Sequence, residues 1–226
     1  METPLLETVE VGPGERAQAA VIWLHGLGAD GYDFEPIVPE LRLPAGSRVR
    51  FVFPHAPVRP VTINGGYAMR AWYDITGIGP GYQEDDVGIH DSERHVHRLI
   101  EREVARGVAT DKIVLAGFSQ GGAIALHTGL RYPRPLAGIM ALSTYLPLRD
   151  MVGDERSEAN RDVPIFMAHG LFDQVVPHGY GRHSCDVLRY LGYAPEWHEY
   201  PAEHTVTLDE VRDIGTWLGR VLGLDG

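Results

Sequence analysis

Residues 112–132 read KIVLAGFSQGGAIALHTGLRY, and the reading of the whole chain turns on them. KIVLA is a short apolar run of the kind that forms a buried strand, and AIALHTGLRY carries helical spacing. Between them stands GFSQGG, in which Ser119 sits among Gly117, Gly121 and Gly122. A surface turn tolerates serine with one glycine or none. Three glycines imply backbone approached so closely that side chains would obstruct it. Gly-x-Ser-x-Gly between a strand and a helix is the nucleophile elbow, a sharp turn that lifts the serine oxygen above a sheet.

Outward from this turn, short apolar runs alternate with helical patterns. Residues 19–24, 49–54, 112–118, 136–143, 163–170 and 194–201 read as strands. Residues 91–106, 120–132, 180–191 and 208–222 read as helices, the first opening on an Asp91 cap and the last carrying Leu208, Val211, Ile214, Leu218, Val221 and Leu222. Alternation with nearly continuous apolar strands predicts an α/β fold: a mostly parallel sheet with helices on both faces. No repeat or linker interrupts it, so 1–226 is expected to form a single domain. The stretch 144–162 is too short to hold a cap domain.

The 226 residues carry a net charge of −11, and Lys112 is the only lysine. Scattered arginines without a basic stripe argue against nucleic acid as a partner. One cysteine, Cys185, excludes an intrachain disulfide. The start METPLLETVEVGPGE lacks the basic and apolar regions of a signal peptide, and no apolar run is long enough to span a membrane. A cytoplasmic protein, monomer or homodimer, without integral membrane association is expected.

Serine is a weak nucleophile until a base takes its proton, and histidine is the natural base near neutral pH. In such sheets the acid and then the histidine follow the serine, at the carboxyl ends of later strands. His204 lies between the last strand and the last helix, whereas His198 lies inside a strand and His178 and His183 at or within a helix. Asp173, in HGLFDQVVP, lies just past the strand 163–170. It would hold the imidazole tautomer and stabilise the imidazolium. The intermediate's oxygen needs N–H donors. The amides of Gln120, after the serine, and Leu27, bracketed by Gly26 and Gly28 after the first strand, are the candidates. His25 reads as a brace for that loop. His90, His95 and His97 read as a solvated helix surface, so neither a metal nor a cofactor is expected.

The segment 57–90 departs from the alternation, being rich in Gly and Pro yet carrying Ile63, Met69, Trp72, Tyr73, Ile75 and Ile78. A long loop with such apolar content is expected to be functional. It is expected to wall a shallow acyl-binding groove, with Tyr145 and Phe172 as further substrate-binding candidates.

With LHGLGADGYDF, FPHAPVRPVTINGGYAMRAWYDI, GFSQGG, HGLFDQVVP and EYPAEHTV in this order, the chain resembles the bacterial carboxylesterase and acyl-protein thioesterase family of α/β-hydrolases. The resemblance covers about residues 15 to 222. It implies the nucleophile at Ser119, acid at Asp173 and base at His204, oxyanion amides at Leu27 and Gln120, and a groove formed partly by the Trp72 loop. Departures fall at Thr205 and Ala202, where the family usually has Ser and Met, and at Tyr145, where tryptophan is frequent. The expected substrate is an ester or acyl thioester of short to medium chain length, on a small molecule or on an acylated protein. The alternatives are a lysophospholipase or peptidase of the same fold, or a non-catalytic binding protein.

Overall fold

The computed structural model describes residues 3–77 and 83–224. Its strands are β1 (Thr8–Val11), β2 (Ala19–Leu24), β3 (Val49–Pro54), β4 (Val58–Val61), β5 (Tyr67–Arg70), β6 (Ile113–Phe118), β7 (Gly138–Leu142), β8 (Ile165–Gly170) and β9 (Glu196–Tyr200). Its α-helices are α1 (Asp86–Ala105), α2 (Gln120–Arg131), α3 (Val152–Glu155), α4 (His178–Tyr190) and α5 (Leu208–Leu222). Seven strands form one sheet in the order β1-β3-β2-β6-β7-β8-β9, with only β1 antiparallel. This is the α/β-hydrolase fold, with the mostly parallel sheet and flanking helices expected.

Side-chain alternation along the strands divides the core in two. Ala20, Ile22 and Leu24 of β2 join Val96 and Leu99 of α1, Ile124 of α2 and Leu188 of α4. Ala19, Val21 and Trp23 of the same strand join Val211, Ile214 and Trp217 of α5. The sheet therefore holds α2 and α5 on opposite faces. Both start near the carboxyl ends of the parallel strands, where a site is built in such sheets.

The largest departures from the expected boundaries fall in three places. Helix α1 begins at Asp86 rather than 91, because the Asp85 side chain caps it by accepting from Gly88 N at 2.9 Å. Gly88 and the preceding acidic run hid that start. Strand β1 pairs with β3 at the sheet edge, a role its half-polar residues do not announce. Within the long segment, β4 and β5 form an antiparallel hairpin separate from the main sheet, so it is not all loop. Helix α5 begins at Leu208 as expected, on a capping box in which Thr207 and Glu210 exchange backbone bonds.

Candidate active site

The elbow is strained and tightly held. Ser119 adopts φ 54° and ψ −121°, a conformation costing a residue with a side chain about 1–3 kcal/mol. The surroundings hold it there. Ser119 N donates to Leu142 O at 2.8 Å, and Ser119 O accepts from Ala123 N at 3.1 Å and from the Thr144 hydroxyl at 2.6 Å. A Cβ on Gly117 would overlap the Gly121 backbone, and one on Gly121 would overlap the carbonyls of Leu24 and His25. These glycines permit β2, β6 and α2 to meet, which answers why the turn carries them.

Three side chains from three connections converge beside this turn. His204 Nε2 lies 2.9 Å from Ser119 Oγ, and His204 Nδ1 lies 2.6 Å from Asp173 Oδ2. The other carboxylate oxygen of Asp173 accepts from the amides of Val175 and Val176, each at 2.9 Å. Asp173 is thus buried with its lone pairs engaged, which fixes the carboxylate plane. Phe118 packs its ring against His204, 4.7 Å between centroids, and limits where the imidazole can swing. His169 lies 3.4 Å from Asp173 but is committed elsewhere, donating from Nε2 to Val176 O at 2.8 Å. Burial pushes the His169 imidazole down from its ordinary range, so it adds no charge beside the carboxylate.

The two amides nominated for the oxyanion belong to segments that lie beside the serine. Gln120 is the first residue of α2, where an amide has no acceptor within the helix. The loop holding Leu27 runs alongside, since a Cβ on Gly26 would stand 3.5 Å from that of Ser119. His25 braces this loop from beneath. Its Nε2 accepts from Ala56 N at 3.0 Å, and its Nδ1 donates to Gly26 O at 2.7 Å. Burial pushes its pKa down to about 4, consistent with a neutral ring that donates on one side and accepts on the other.

The groove candidates do not share one fate. Trp72 is a correction: it is fully buried, its indole N–H donating to His25 O at 2.9 Å and its amide to Gln120 Oε1 at 2.8 Å. A buried indole with a partner is a staple, not a wall open to substrate. Tyr73 is also buried, its hydroxyl 2.7 Å from that of half-buried Tyr145, and Ile75 packs on the core. Ile63 and Phe172 are exposed, and half-buried Met69 brings its sulfur near Gly28 in the Leu27 loop. Ile78 lies outside the described residues.

Sequence reasoning missed two supports. The Gln120 side chain clamps the Trp72 segment, since its Nε2 also donates to Tyr73 O at 2.8 Å. Thr144 holds the Ser119 carbonyl; its place just past strand β7, beside the elbow strand, was the available signal.

A family profile described as phospholipase/carboxylesterase matches residues 7–222. The chain belongs to the phospholipase/carboxylesterase family. It is 40% identical to acyl-protein thioesterase 1 of Neurospora crassa over 90% of this chain and 86% of that one. To acyl-protein thioesterase 1 of Mycosarcoma maydis it is 36% identical, over 96% and 98%. Among solved structures, Arabidopsis thaliana SOBER1 superposes with a TM-score of 0.86 at 32% identity, over 91% of this chain and all of that one. These relatives are fungal and plant proteins, so the family is not the bacterial branch specifically that the motifs resemble. Membership makes the chain a serine hydrolase of esters and thioesters. Among the described residues, no helix is long and apolar enough to cross a membrane.

Proposed function

We propose that Ser119, His204 and Asp173 are the catalytic triad of an acyl-protein thioesterase-like hydrolase acting on short to medium acyl chains. The observation that carries this reading is the unbroken chain from Ser119 Oγ through His204 to Asp173, at 2.9 and 2.6 Å. Ser119 Oγ attacks the acyl carbonyl while His204 Nε2 takes its proton. Asp173 stabilises the imidazolium, and the Leu27 and Gln120 amides donate to the tetrahedral oxygen. His204 returns the proton to the departing alcohol or thiol, and water repeats the cycle on the acyl-enzyme. A thioester suits the site because both relatives above are named for that substrate class.

The acyl chain is assigned to the exposed apolar side of the site, with Phe172 beside Asp173 and Met69 and Ile63 from the hairpin. Each methylene buried there adds only about 0.8 kcal/mol, so preference rises gradually with chain length. The protein is read as one cytoplasmic domain that meets its acylated substrate in solution. The test is kcat/KM for acetyl to octanoyl esters and thioesters, in wild type and in the double substitution Met69→Ser, Phe172→Ser. The variant should lose more activity on octanoyl than on acetyl substrates. Equal losses on both would place the acyl chain elsewhere. A sharp rise in rate at a lipid–water interface would favour the lysophospholipase reading.

A further inference from the structure

The histidines of α1 were expected to form a solvated surface. His95 instead is buried, with Nδ1 donating to Pro4 O at 3.1 Å. His90 and Glu93, one helical turn apart, meet His127 of α2, which is fully buried. Their facing atoms form a nearly equilateral triangle. His90 Nδ1 lies 3.2 Å from His127 Nε2 and 3.5 Å from Glu93 Oε2, and His127 Nε2 lies 3.4 Å from the same Oε2. Among the described residues, this is the one group of three such donors within 4.8 Å of one another.

The size of that triangle is informative. A tetrahedral zinc ion holds nitrogen and oxygen ligands at about 2.0–2.1 Å, which sets ligand-to-ligand edges of about 3.3–3.4 Å. The three observed edges bracket that value. One ion above the triangle reaches all three atoms with little movement. Ionisable neighbours also stand behind two of the three ligands. Asp86 Oδ1 lies 3.2 Å from His90 Nε2, behind the ring nitrogen that is not part of the triangle. A carboxylate behind a ligating histidine is the usual outer support of a zinc site. His97 Nε2 lies 3.8 Å from Glu93 Oε1, on the carboxylate oxygen away from the triangle.

We propose that His90, Glu93 and His127 bind one divalent transition ion of the zinc class, with water in the fourth position. Two imidazoles and one carboxylate make a borderline donor set that suits zinc and cobalt, whereas magnesium and calcium take oxygen ligands. Solvent access supports an open fourth position, because the His90 side chain is 34% exposed and that of Glu93 17%. The ion joins α1 to α2. It stands apart from the triad: His127 lies about 12 Å along the helix from Ser119 at the usual rise per residue. Its effect is therefore to pin the helix that carries the elbow, not to take part in hydrolysis.

The test uses the full chain, stripped by a chelator and then titrated with Zn2+ by calorimetry and with Co2+ by visible absorption. Wild type and Ser119→Ala should each bind one Zn2+, rise in Tm, and show the absorption of four-coordinate Co2+. His90→Ala and Glu93→Gln should lose at least about 100-fold in affinity, and Asp86→Asn about 10–100-fold. His90 and Glu93 are both partly exposed, so these variants should keep the fold, which circular dichroism checks. Mg2+ should produce no rise in Tm. Failure of wild type to bind Zn2+ saturably would overturn the site, as would unchanged affinity in both His90→Ala and Glu93→Gln.

Discussion

The two ends of α2 hold histidines in opposite arrangements. Before its first turn, Ser119, His204 and Asp173 form a line with contacts of 2.9 and 2.6 Å, each link short enough to share a proton. Toward its last turn, His90, Glu93 and His127 form a triangle with edges of 3.2, 3.5 and 3.4 Å. A line passes a proton from one group to the next. A triangle of donors at that spacing surrounds a cation. Histidine and a carboxylate take part in both, so what they do depends on their arrangement and on the third group beside them.

The largest expected effect tests the line alone. Ser119→Ala should lower kcat/KM by at least about 10³-fold and abolish labelling by a fluorophosphonate probe, because triad members act as a unit. Labelling that survives would move the nucleophile elsewhere and dissolve the contrast.

The next prediction separates two histidines that are close in sequence. His204→Ala should lose a similar factor, of order 10³, while His198→Ala should stay within a few-fold of wild type. His198 lies in β9 and stacks on Phe166 at 4.5 Å, with no part in the line. Steady-state kinetics on one ester decides it, and equal losses would contradict the assignment.

Trp72 sharpens the comparison from beneath the site. Trp72→Phe leaves the His25 carbonyl without its donor, so stability should fall by about 1–3 kcal/mol in urea unfolding. Chain-length preference should not change, because the ring is buried. A shifted preference would return Trp72 to the groove wall.

The last prediction is read as a change with pH rather than as a loss, and concerns a titration that belongs to neither end of α2. Burial pushes the Glu210 carboxyl up to about 8, above its ordinary value, despite its backbone bond in the α5 cap. Between about pH 4.5 and about pH 8 the unfolded chain has lost this proton while the folded chain keeps it, so stability falls as pH rises through that window. Glu210→Gln should therefore gain on wild type as pH rises from about 5 to about 8, by up to a few kcal/mol. Tm measured in both proteins at about pH 5 and about pH 8 checks the sign. A gap that narrows with pH would mean that the carboxylate is ionised in the fold.

Parts of the molecule with a local signature were legible in the chain. The elbow is one, since strand, glycines, serine and helix are contiguous between residues 112 and 132. Helix α5 is another, with its cap and its apolar spacing on one stretch. Strand β1 was not legible, because an edge strand is stabilised by its partner more than by its own pattern. The start of α1 was hidden for a related reason: Asp85 caps a turn containing Gly88, and propensity alone disfavours glycine there. In the site, Asp173 and His204 could be chosen by chain order and by their position after strands, without knowledge of any distance.

What the sequence determined by itself was thus the strand–helix alternation, the elbow, and the order of serine, acid and histidine. Each depends on neighbours in the chain or on a rule of topology. Only the tertiary structure decided that Trp72 is a staple, because an apolar residue in a loop can face core or solvent with equal local logic. Only it paired His127 with His90 and Glu93. Spacing along one helix reveals partners on that helix, but a partner on a second helix depends on how the two pack against the sheet.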